Sequence, residues 1–174
     1  MEAIPLQCLG KLHFDQGDAQ AALQSGLQAQ ALFQFLEEPC EACSVVSTLA
    51  RYAIHLGQRD VALARLNATL GQLQRELVDW PATETIDVRW RCQQVMVALS
   101  DPRAGPLLEQ LFADVQAGAT RLTDAADRDR LIQAKPVWRA VVAARLGAGP
   151  LRLACGCGPH QRDGAPGRRI QHCP

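Results

Sequence analysis

One pattern constrains this chain more than any other, a turn that occurs twice. Leu9-Gly10, Gly17 and Ala22-Leu23 recur 40 residues on as Leu49-Ala50, Gly57 and Ala62-Leu63. Each part has a mechanical reason. A glycine takes positive φ without strain and so ends one helix and turns the chain into the next. Small residues at 10 and 50, and alanines at 22 and 62, let two helices cross closely. Repetition at a fixed period is the mark of stacked helical hairpins, each burying its apolar face on its neighbour.

Two further pairs of helices follow from local signals. Trp90–Leu99 is predicted as a first helix, Ser100-Asp101-Pro102 as the turn, and Gly105–Leu122 as the second. Asp101 is expected as its N-cap, with Pro102 at the first helical position. Thr123-Asp124 is then expected to cap a helix reaching Ala134, and Pro136 to start another that ends near Gly147. Leu63, Leu66, Leu70, Leu73 and Leu77 step by three and four residues, which predicts one apolar stripe along a helix. Ile86, Trp90 and Val97 mark one side of the next helix, and Val88, Cys92, Val95 and Leu99 mark another. A helix apolar on two sides is expected to lie sandwiched between neighbours. No segment alternates β-branched and polar residues between turn glycines, so strands are not expected.

Composition agrees with close-packed helices. Hydrophobic residues make up 48% of the 174 residues but aromatics only 5%, so the apolar mass is mainly Ala, Leu and Val. Lys and Arg balance Asp and Glu at 18 each, so no nucleic-acid footprint or polybasic membrane patch is expected. Met1-Glu2-Ala3-Ile4-Pro5 has neither a basic start nor an apolar run behind it, and the late apolar stretch is cut by Arg139 and Arg145. Neither a secretory signal nor a membrane span is expected, and cytoplasm follows as the default location. Seven cysteines scattered along such a chain are expected to stay reduced. Lysine occurs only at 11 and 135, an arginine bias that suggests a GC-rich bacterial genome.

Past Leu146 the composition changes. Residues 147–174 carry six of the 13 glycines, four of the 10 prolines, four Arg and three Cys, with Asp163 the only acid. No helical stripe runs through them. The expected organisation is a helical body over 1–146 and an irregular or disordered tail over 147–174.

These residues carry a likeness. Gly17-Asp18 with Ala22, and Gly57 with Ala62, resemble the turn of tetratricopeptide repeats. Leu99-Ser100-Asp101-Pro102-Arg103-Ala104, then Leu107-Leu108, then the run from Leu131 through Lys135-Pro136-Val137-Trp138-Arg139 to Val141 resemble something narrower. They are similar to the C-terminal repeat region of large bacterial multidomain regulators, in which a kinase, nucleotide cyclase or DNA-binding module and an AAA-type ATPase precede such an array. Those arrays close with a G-D-P-R-A turn and an F-L-x-x-V-P-x-H/N-R-x-I helix pair. This chain departs at Ser100 for Gly, Leu131 for Phe, Lys135 for an apolar residue and Trp138 for a polar one. The likeness spans residues 3–146 as architecture and 86–142 as motif. It implies an all-α fold of tetratricopeptide-like antiparallel hairpins stacked as a short right-handed solenoid. It also implies the tail end of a signalling or transcriptional regulator, encoded alone or truncated.

No catalytic centre is expected in the chain itself, and no cofactor. Gly10-Lys11 lacks the upstream glycine of a phosphate loop and is followed by Leu12 rather than Ser or Thr. Cys40-Glu41-Ala42-Cys43 has redox-pair or half-zinc spacing at a helix start, where a thiol pKa is lowered. Redox pairs of this kind need a βαβ setting, however, and small buried thiols between helices explain the spacing equally well. Cys155, Cys157, His160, His172 and Cys173 can supply four zinc ligands, but not at a common zinc spacing. His13 and His55 share no spacing with a nucleophile, and Glu37-Glu38, Asp127 and Asp129 read as solvated helix faces.

In tetratricopeptide arrays the first helix of each hairpin lines the concave surface. The resemblance therefore places Gln7, Lys11, Ser47, Arg51, His55, Arg91 and Gln94 on or near it, with Phe14 or Trp90 as apolar anchors. Lys11 and Arg51 are expected to stack as a basic pair suited to an acidic peptide; the competing reading is an ordinary solvated face. The resulting expectation is a protein-interaction scaffold with a protein or peptide partner. A self-associating homo-oligomer built on the leucine stripe, and a thiol or metal sensor built on the cysteines, stand as alternatives.

Overall fold

The computed structural model describes residues 2–75, 80 and 82–147. Among these residues every regular element is a helix. They are α1 (Ala3–Asp15), α2 (Ala19–Phe35), α3 (Pro39–His55), α4 (Arg59–Arg75), α5 (Ala82–Leu99), α6 (Ala104–Ala119), α7 (Ala125–Ala134) and α8 (Pro136–Arg145).

The turns explain where the helices stop. After α1 the Gly17 N–H donates to the Phe14 carbonyl and the Asp18 N–H to that of His13. After α3 the same pair of bonds runs from Gly57 to Ile54 and from Gln58 to Ala53. Both glycines have positive φ, +86° and +72°, as this double bond pattern requires. Two more helices end in the same way without glycine. Glu37 closes α2 at φ +57° and Ser100 closes α5 at φ +59°, each with the matching bonds to Gln34 and Phe33, or to Val97 and Met96. The repeat unit therefore turns every 20 residues across positions 17, 37 and 57. Starts are equally local: the Asp18 carboxylate accepts from Ala21 N at 2.9 Å, Asp124 accepts from Ala126 and Asp127, and Pro39 and Pro136 open α3 and α8.

Each helix packs on its successor, and α5 also packs on α3 and α8, and α8 on α6. Two apolar clusters result. Ala22, Phe33, Val45, Leu49 and Tyr52 join α1, α2 and α3. The larger cluster runs from Cys43 and Leu66 through Val88 and Val95 to Leu111, Val115, Trp138 and Val141. Helix α3 contributes to both, so it and α5 are the sandwiched helices. Ala50, Ala62 and Ala22 are fully buried where helices cross, and a Cβ on buried Gly10 would lie 3.2 Å from the Ala22 carbonyl oxygen.

Several expectations shift. Of the leucine stripe, Leu66 is fully buried and Leu70 and Leu73 partly so, but Leu63 is exposed; Leu77 lies outside the described residues. Val97 is exposed as well, so the apolar side of α5 ends at Trp90. Asp101 does not cap α6, which starts at Ala104. Its carboxylate instead accepts from Arg103 N at 2.9 Å and pairs with that guanidinium at 2.6 Å, closing a turn ahead of the helix.

Arginines tie the helices together across long sequence distances. Arg59, at the start of α4, donates to the last carbonyls of α5, those of Ala98 and Leu99, at 3.2 and 3.1 Å. A cation there satisfies orphan acceptors and opposes the negative end of the helix dipole. Arg103 reaches Asn67 on α4 at 3.0 Å, and Arg145 pairs with Glu109 of α6. Among the described residues no helix is long and apolar enough to cross a membrane.

Candidate functional site

The first helices of the successive hairpins, α1, α3 and α5, meet along one face. Phe14, near the end of α1, packs on Tyr52 with ring centroids 4.7 Å apart and edge-on to His55 at 4.6 Å. The Arg51 guanidinium lies 5.5 Å from the centre of the Phe14 ring. One helix further, Arg51, His55 and Gln94 border a notch of about 10 Å³ between α3 and α5, room for about one water molecule. Phe14, Arg51, His55 and Gln94 thus form one continuous strip over three helices.

Arg91 extends the strip. Its Nη2 donates to Ser44 Oγ at 3.1 Å, while its Nε is buried and makes no hydrogen bond. Burial pulls its guanidinium below the usual arginine value, the Asp87 carboxylate opposes this, and the Arg51 charge adds to it. The Asp87 carboxylate and the Arg51 guanidinium thus act on Arg91 with opposite sign in a partly desolvated setting. Burial also lowers the His55 imidazole pKa, with Arg51 acting in the same direction, which favours the neutral ring. Buried Tyr52 is pushed up to about 12, mainly by desolvation, so its phenol stays protonated.

The expected residues divide accordingly. Arg51, His55, Phe14 and Gln94 come together, and Arg91 stands beside them. Lys11 is exposed on α1, three residues before Phe14, and Arg91 is a further cation whose charge is felt with that of Arg51. Gln7 is half-buried. Ser47 is buried, with its hydroxyl donating to the Ser44 carbonyl at 2.7 Å, and so leaves the strip. Trp90 is turned into the core at 7% exposure and cannot anchor a ligand, whereas Phe14 is half-buried. The inward turn has a simple cause: Trp90 lies one position from Arg91, about 100° around the helix, so the two cannot share a face.

Cys43 is fully buried, with its sulfur 4.0 Å from the Thr69 carbonyl oxygen, while Cys40 is half-buried. Cys43 lies near Cys92 of α5, whose thiol is pushed up to about 12, first by burial and then by Cys43. A thiol so raised is a poor nucleophile and a poor metal ligand. Among the described residues no group of three or more His, Cys, Asp or Glu could hold a metal. Cys155, Cys157, His160, His172 and Cys173 lie outside the described residues.

Sequence reasoning missed a sizeable cavity. Helices α4 and α6 both pack on α5, and between them opens a cleft of about 810 Å³, lined also by Lys135 and Trp138. Its volume falls in the range of small-molecule sites. Arg89 of α5 crosses its wall, paired with Asp114 and donating to Gln110 Oε1 at 3.2 Å. The available signal was Lys135 and Trp138, three residues apart at a helix start, which is too common a spacing to mark a site by itself. Comparison with protein-family models, with curated proteins and with solved structures finds no match for this chain.

Proposed function

We propose that this chain is a non-catalytic scaffold whose hairpins stack in the tetratricopeptide manner as a short right-handed solenoid, and that it binds an acidic, extended segment of another protein on the α1–α3–α5 face. The turns at 17, 37 and 57 support the repeat reading. The observation that supports the binding reading is Arg51 over the Phe14 ring with Arg91 nearby: Arg91 is held by Ser44, feels both the Asp87 carboxylate and the Arg51 charge, and has a buried Nε without a hydrogen bond. A side-chain carboxylate laid along this face can accept charge-assisted hydrogen bonds from the guanidinium groups. Phe14, half-buried under Arg51, supplies the apolar contact that exposed ion pairs need to yield useful affinity. By resemblance, the setting is the C-terminal part of a bacterial signalling or transcriptional regulator.

The test uses a fluorescein-labelled peptide that alternates Glu with Phe, titrated at low and physiological salt and read by anisotropy. Binding should weaken with salt and fall about tenfold in Arg51→Gln, a half-exposed position. Arg139→Gln, an exposed cation on α8, should change it little. Equal affinity for wild type and Arg51→Gln would remove the face from consideration.

A further inference from the structure

The cleft between α4 and α6 stands apart from the Arg51–Arg91 strip and has its own chemistry. Its apolar walls come from Leu70 and Leu73 of α4, Ile86 of α5, Leu107 of α6 and Leu131 of α7, with Trp80 and Trp138 at its margins. Five aliphatic side chains and two indoles suit a hydrocarbon or aromatic body.

Charge decides what else the occupant carries. Asp114 is the single carboxylate lining the cleft among the described residues, and Arg89 already holds it. Arg121 and Lys135 also line the cleft, and neither has a carboxylate partner among the described residues. Among the described residues the cleft therefore presents two positive charges that no carboxylate pairs with, beside an apolar floor. Both have fixed seats. The Lys135 ammonium stands 4.3 Å from the centre of the Trp138 indole. Arg128 donates to the carbonyls of Leu122 and Thr123, each at 2.8 Å, and so pins the turn that carries Arg121.

We infer that this cleft is a binding site for a small amphipathic organic anion, with its apolar or aromatic body on the leucine and tryptophan walls and its carboxylate or sulfonate between Arg121 and Lys135. A neutral apolar molecule gains the walls but leaves both cations unpaired. A cation is repelled.

The probe is 8-anilinonaphthalene-1-sulfonate, compared with its uncharged analogue N-phenyl-1-naphthylamine, on the full chain. Wild type should bind one sulfonate dye per chain, saturably, with a rise in melting temperature that marks binding to the folded state. In Arg121→Gln/Lys135→Gln the sulfonate dye should bind about tenfold more weakly, while the neutral dye keeps its affinity. Decanoate and 1-naphthoate should both displace the dye; which competes better separates an aliphatic from an aromatic occupant. Ala117→Phe, at an exposed cleft position, should block both dyes without touching a charge, which keeps the test decisive if the double variant folds poorly. Arg51→Gln should leave dye binding unchanged, so failure here is distinguishable from failure of the peptide reading. Multiple weak dye sites, no thermal shift, or equal loss of both dyes in the charge variant would overturn the inference.

Discussion

The indole of Trp138 rests on Gly118: a Cβ added at 118 would come within 2.7 Å of ring atom Cη2. Trp138 is only 4% exposed, so a displaced ring would have to give up buried contacts. This contact seats α8 on α6, and both residues line the large cleft. Gly118→Val should therefore cost about 2 kcal/mol or more through overpacking. Gly105, also in α6, has nothing within 4 Å of an added Cβ, so Gly105→Ala should be neutral or stabilise by about 0.5 kcal/mol. Urea midpoints of the two variants check the pair, and a shift of equal sign in both would refute the contact.

Two turns hold left-handed backbone on residues that pay for it. Ser100 and Glu37 sit at φ +59° and +57°, a conformation that strains an L side chain by roughly 1–2 kcal/mol. Ser100→Gly should stabilise the fold by about 0.5 kcal/mol after the added freedom of the unfolded chain is deducted. Gly57→Val, the reverse change at φ +72°, should cost about 1 kcal/mol or more. Thermal melts that move the same way in both variants would contradict this placement of the turns.

The leucines of α4 form a graded series. Leu66 is fully buried, Leu70 is half-buried against the cleft, and Leu63 is exposed. Replacement by alanine should cost about 3–5 kcal/mol at 66, about 1–2 at 70 and close to nothing at 63. Chemical denaturation gives the ranking directly. A large loss at Leu63 would point to a helix–helix association that covers this face.

His55 predicts a pH dependence. Burial and Arg51 hold its pKa below the ordinary 6.5 in the folded state. The unfolded chain therefore binds this proton first as pH falls, so the unfolded state carries more protons in that window. Stability should be unaffected above pH 6.5 and decline from there down through the lowered folded pKa. His55→Gln should flatten that part of the melting-temperature profile. Parallel profiles for the two proteins across this range would show that His55 is not the group responsible.

How much was legible in the sequence depended on the range of the interaction. The turns at Gly17 and Gly57, the Asp124 cap and the Pro136 start are settled by bonds within about five residues, and each is where the amino acids themselves place it. The all-helical class follows from the same local signals together with the spacing of leucines. Glu37 and Ser100 were not legible as left-handed turns, because neither residue prefers that backbone; the packing of the flanking helices holds them there. The approach of Arg91 to Arg51 and the cleft between α4 and α6 belong to tertiary structure alone. They depend on the angles at which helices cross, and those angles are set by side-chain volumes brought together from distant positions, as Gly118 beneath Trp138 shows.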